Sequence, residues 1–148
     1  MNTHPYLRAY LAGIAAPSLA LLIALTVFIL TRLVFDIPIP IERVIIFPMA
    51  VIPSAFGLWN MLYVWSRPHS NLPIGVYGAL LPWILITIGI LAAVWGGLVE
   101  IGSRGLMWFG VVELPYSVAV IWFLSLLVLY YLIWKHVVGF LNQMLGIA

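Results

Sequence analysis

The chain has 148 residues, of which 66% are hydrophobic and only 7% charged, whereas a water-soluble domain carries about 25% charged residues. With a mean hydropathy of +1.21 there is too little polar surface to cover a compact globule in water, so a soluble domain is excluded and a lipid bilayer is the expected solvent. The net charge of +2 rests on too few groups to point to nucleic acid, and the absence of cysteine excludes disulfides, thiol redox chemistry and thiolate metal sites.

The charges divide the chain. Arg8 and Arg32 enclose 23 uncharged residues, enough to cross ~30 Å of hydrocarbon as a helix of ~20 residues. This first span is expected at about Leu11–Phe35. Its apolar core exceeds that of a cleavable signal, and it ends in Thr31-Arg32 rather than at a small-residue cleavage site. Ala9, Ala12, Gly13, Ala16, Ala20 and Ala24 give it a broad surface of small residues. The connection that follows, Asp36 to Arg43, contains Pro38 and Pro40 and should be tight and extended.

Arg43 and Arg67 enclose another 23 residues, and the second span is expected at about Val44–Trp65. Ala50, Pro53, Gly57 and Asn60 share one helical face, with Pro48 and Pro53 kinking the helix. Asn60 is the only carboxamide well inside an expected span. It is a candidate for an interhelical hydrogen bond or, less economically, a ligand contact. The next loop gathers Arg67, His69, Ser70 and Asn71, a set suited to a phosphate or lipid headgroup and equally to a capped turn facing water.

The third span is expected at about Ile74–Val99. Gly75, Gly78, Pro82, Ile86, Gly89, Ala93, Gly96 and Glu100 fall within roughly 80° of arc at 100° per residue. Helices in lipid gain nothing from hydrophobicity when they meet, so small residues mark close approach. Gly75, Gly78, Pro82, Gly89, Ala93 and Gly96 are therefore expected to form a packing seam, with Glu100 at its outer end. Between Glu100 and Glu113 lies the aromatic run Leu106-Met107-Trp108-Phe109, which suits a segment in the membrane interface. Glu100 and Arg104 would be an i,i+4 ion pair if the helix continued.

Glu113 and Lys135 enclose 21 residues, giving a fourth span at about Pro115–Val138. Trp122 and Phe123 sit deep in it, and Tyr130, Tyr131 and Trp134 form an aromatic belt near its end. The apolar tail beyond Lys135 should continue along the interface.

These elements define an all-α integral membrane protein: one domain over residues 1–148, an antiparallel bundle of four transmembrane helices with an interfacial aromatic segment between the third and fourth. Unpaired backbone cannot sit in lipid, and the runs lack the alternation of barrel strands. Arg8, Arg67 and Lys135 lie on the side of the termini without any acid. Arg32, Arg43 and Arg104 lie opposite, among Asp36, Glu42, Glu100 and Glu113. The free amine and the acids that mask the opposite arginines favour cytoplasmic termini, in a plasma or inner membrane.

No acid, Lys, Arg or His occupies the middle of an expected span, which argues against a proton-coupled carrier. His4, His69 and His136 are scattered, no Gly-x-Ser-x-Gly elbow surrounds a serine, and the weak ligand-binding candidates reduce to Asn60, Arg67, His69, Asn71, Glu100, Arg104 and Glu113. No catalytic residue, metal site or cofactor is expected, although the aromatic content is compatible with a quinone or haem. The leading expectation is a non-catalytic accessory or assembly subunit, partnered by the bilayer and by other membrane subunits or its own copies. An oligomeric channel or uncoupled transporter lined by the second and third helices is the first alternative. A redox or lipid-modifying enzyme subunit is the second.

Overall fold

The computed structural model describes residues 4–38, 50–108, 110 and 112–147. The chain is mostly helical, and three helical stretches are long and apolar enough to cross a membrane: Pro5–Val34, Ile74–Trp95 and Tyr116–Met144. In chain order the elements are α1 (Pro5–Val34), α2 (Ile52–Ser66), a 3-10 turn (Arg67–His69), α3 (Ile74–Trp95), β1 (Val99–Ile101), β2 (Gly105–Trp108), β3 (Val112–Pro115), α4 (Tyr116–Leu132), a π-turn (Ile133–Val138) and α5 (Gly139–Met144). Residues 39–43 of the first connection, residues 44–49 of the second expected span with Pro48, and Phe109 of the aromatic run lie outside the described residues.

α1 starts earlier than the hydrophobic pattern suggests. Pro5 occupies its first turn, where the missing N–H costs nothing, so the helix begins before the uncharged stretch does. α1 packs along α2, and α3 along α4; the π-turn and α5 then join the two pairs near the termini. The core holds Phe56, Leu81, Trp134 and Val138, with Trp59, Tyr63 and Tyr130 packed against it. Phe56 lies 5.2 Å from Tyr130 and 5.9 Å from Trp134 between ring centroids.

α3 stops at Trp95 rather than at the expected Val99. Gly97 adopts a left-handed φ of 66°, its N–H donates to the Val94 carbonyl at 3.1 Å, and the Leu98 N–H donates to Ala93 at 2.7 Å. This is a Schellman stop, which glycine enters without a Cβ clash. Gly96 is thus an exposed cap residue, and Glu100 is beyond the helix.

The segment expected as an interfacial aromatic stretch folds into a three-stranded antiparallel sheet in the order β1-β2-β3. The fold class is corrected from wholly to mostly helical. Glu100 is on β1 and Arg104 in the β1–β2 turn, so the helical i,i+4 geometry envisaged for them does not form. The physical reason is legible in Val99-Glu100-Ile101 and Val112-Glu113-Leu114, where apolar and acidic residues alternate with the period of a strand. Gly105 allows β2 and β3 to approach: a Cβ there would overlap the Leu114 carbonyl.

Candidate functional site

The helix contacts are set by glycine. A Cβ at Gly13 would lie 2.5 Å from the Phe56 carbonyl oxygen, and one at Gly57 would lie 2.5 Å from the Tyr10 ring. The backbones of α1 and α2 therefore touch. On α3, a Cβ at Gly75 would meet the Tyr131 ring, and one at Gly78 would overlap the Trp134 indole. Gly75, Gly78 and Pro82 are buried, Gly89 and Ala93 half-buried, and Gly96 exposed.

This close approach brings three distant parts of the chain to one buried polar site. The Asn60 Nδ2 donates to the Ala9 carbonyl at 2.8 Å and to the Asn142 Oδ1 at 2.8 Å. Asn142 returns the bond, its Nδ2 donating to the Asn60 Oδ1 at 3.0 Å. Both carboxamides are 0% exposed. A buried amide left unbonded costs about 1–3 kcal/mol, so each asparagine is tolerated because the other is there.

The sequence pattern singles out Asn60 and not Asn142, because the apolar tail reads as an interfacial extension. The available signal was the spacing Trp134, Val138, Asn142, one residue per helical turn, and all three are 0% exposed. The π-turn between Ile133 and Val138, closed by the Gly139 N–H donating to the Trp134 carbonyl, keeps these three on the core face. π-turns insert one residue into the helical ladder.

Arginines close the same end. α5 ends in a second Schellman stop at Gly146, whose φ is 65°, with the Ile147 N–H donating to the Asn142 carbonyl at 2.9 Å. The carbonyls on either side of Gly146 accept from guanidinium groups: Arg8 Nη1 donates to Leu145 at 3.2 Å and Arg67 Nη1 to Ile147 at 3.3 Å. Cations at a helix C-terminus oppose the partial negative charge of its free carbonyls. The N-terminus of α1, the end of α2 and the C-terminal helix thus meet at one end of the molecule.

The other sequence candidates do not converge there as a set. His69 and Asn71 are exposed on the loop after α2, where the Ser70 hydroxyl accepts from the Leu72 N–H at 3.3 Å. Glu100 and Glu113 are exposed on the sheet and Arg104 in its β1–β2 turn, beyond the Trp95 end of α3, whereas the Asn60 neighbour Trp59 bonds to Tyr77 near the start of that helix.

Hydroxyls along the helices bond back to their own backbone. Ser18 donates to Ile14, Thr26 to Leu22, Thr87 to Trp83 and Ser125 to Ile121, at 2.6–2.9 Å. Each is a bond to the carbonyl four residues earlier, which satisfies a polar group without a second helix. Trp59 Nε1 donates to the Tyr77 carbonyl at 2.7 Å, and the Ser66 and Tyr77 hydroxyls bond to each other, tying α2 to α3. Trp134 differs: its Nε1–H is buried without an acceptor among the described residues.

Among the described residues, no three His, Cys, Asp or Glu side chains come together as a metal-binding group. Two apolar grooves open on the flank of α1 and α2. One of about 200 Å³ is bounded by Ser18, Leu21, Leu22 and Pro53, and one of about 340 Å³ by Tyr6, Leu58, Met61, Leu62 and Trp65. Neither contains the Asn60–Asn142 pair. What the buried polar groups can do chemically is hold helices together, since their bonds are directed at one another and at backbone. Comparison with known proteins returned no match to a family model, a curated protein or a solved structure.

Proposed function

We propose that the chain is a small non-catalytic polytopic membrane protein, a four-span antiparallel bundle with cytoplasmic termini. In this reading it serves as an accessory or assembly subunit of a larger membrane complex, or packs against its own copies. The observation that carries the reading is the reciprocal Asn60–Asn142 pair. The two buried carboxamides direct their hydrogen bonds at each other and at Ala9 rather than toward a groove. Small residues at the α1–α2 and α3–α4 contacts support the same reading, because they serve close packing in lipid.

Native mass and visible absorption of protein extracted in mild detergent test it together. The expected particle contains a second subunit or further copies of the chain and shows no chromophore band. A single chain that conducts ions or solutes after reconstitution, or that retains a bound chromophore, would overturn the reading in favour of a transporter or a redox subunit.

A further inference from the structure

The three-stranded sheet has two unlike faces. Cross-strand partners in an antiparallel sheet project to the same side. The register aligns Val99 with Trp108 and Val112, and Ile101 with Leu106 and Leu114. Those six apolar residues form one face. Glu100, Met107 and Glu113 align on the other.

The protein covers only part of the apolar face. Val99 and Leu106 are buried, whereas Ile101 is 66% exposed and Val112 52% exposed. On the opposite face both glutamates are exposed. An antiparallel sheet with one apolar and one polar face belongs at a boundary between apolar and aqueous surroundings.

Its attachment fixes which boundary. Three residues separate the end of α3 from the start of β1, and β3 runs into α4 without a linker. The reach from Trp95 to Val99 is at most about 14 Å, at 3.3–3.6 Å per residue. The sheet is therefore held beside the ends of two helices whose flanks face lipid. Trp95, 94% exposed at the end of α3, carries the side chain favoured at a membrane interface.

We propose that the sheet lies flat on the lipid leaflet opposite the termini. Ile101 and Val112 dip into the boundary between headgroups and acyl chains, and Glu100 and Glu113 face water. The partner of the exposed apolar face is the lipid surface. The proposal rests on the reading of α3 and α4 as membrane spans.

The cysteine-free chain permits a direct test. Single cysteines replace Ile101, Val112, Glu100, Glu113 and, in the middle of α4, the exposed Leu124. Each is spin-labelled and reconstituted in vesicles of phosphatidylcholine and phosphatidylglycerol. Collision with oxygen, which concentrates in lipid, is compared with collision with a water-soluble nickel complex. Labels at 101, 112 and 124 should favour oxygen, and those at 100 and 113 nickel. If 124 favours oxygen while 101 and 112 favour nickel, the sheet does not rest on lipid and the proposal falls. Shielding of 101 and 112 from both reagents would also overturn it, by assigning that face to a protein copy. Nickel access at 124 would instead remove the span itself.

Discussion

Gly13 of α1 lies against the Phe56 carbonyl of α2 so closely that its missing side chain is a condition of the contact. A Cβ there would stand 2.5 Å from that oxygen and 2.8 Å from the Gly57 Cα. Both obstacles are backbone, so neither can swing aside as a flexible side chain would.

Gly13→Ala should therefore destabilise the protein by about 1–3 kcal/mol, the usual range for overpacking, with more if the helices separate. Thermal unfolding in detergent checks this. Ile88→Leu conserves volume at an exposed position and should leave the melting temperature nearly unchanged.

Trp134 provides a contrasting case. Its ring fills the space against Gly78 and Phe56, but its Nε1–H has no acceptor among the described residues. Trp134→Phe loses ring volume and removes a buried unsatisfied donor, two effects of opposite sign. The expected loss is below about 1.5 kcal/mol, in the range of mild core swaps. Trp134→Ala should cost about 3–5 kcal/mol. Comparable losses for the two variants, measured by thermal unfolding, would mean that the indole N–H makes a bond of its own.

The arginines at the termini should act locally. Arg67→Ala removes a donor to the Ile147 carbonyl, and Arg8→Ala one to Leu145. Each should cost about 0.3–1 kcal/mol, the range for charges at exposed helix ends, and less at high salt. Faster amide exchange within residues 142–147, with little change in global melting, is the expected result.

Charge spacing made the long helices legible, because lipid imposes an apolar length that water does not. It did not place their ends. Helical spacing assigns Gly96 to the packing seam, whereas its neighbour Gly97 supplies the left-handed residue that stops α3. The sheet was legible in Val99-Glu100-Ile101 and Val112-Glu113-Leu114, but the aromatic run between them suggested an interface, and period-two alternation over three residues is a short signal. Asn60 stood out as a lone carboxamide in an apolar span. The spacing Trp134, Val138, Asn142 marks a buried face for its partner, but not the pairing itself, which joins residues 82 apart.

The proposed sidedness rests on the same charges. Cysteines introduced at Ser70 and Ser103 should react with an impermeant maleimide from opposite sides of intact membranes, Ser70 from the cytoplasm. Reaction of both from one side would remove the four-span topology. Reversed sidedness would retain the four spans and move the termini outside.

The Asn60–Asn142 coupling tests the central claim, that the buried polar groups serve to lock the helices. Asn60→Ala strands a buried Asn142 amide, and Asn142→Ala strands the Asn60 Oδ1 while its Nδ2 keeps the Ala9 carbonyl, so each single change should cost about 1–3 kcal/mol, the Asn142 change toward the lower end. The double variant strands neither partner. A double-mutant cycle of unfolding free energy in detergent should therefore give a loss smaller than the sum of the singles by about 1 kcal/mol or more, as expected for residues in direct contact. Additive losses, with a coupling indistinguishable from zero, would contradict the lock.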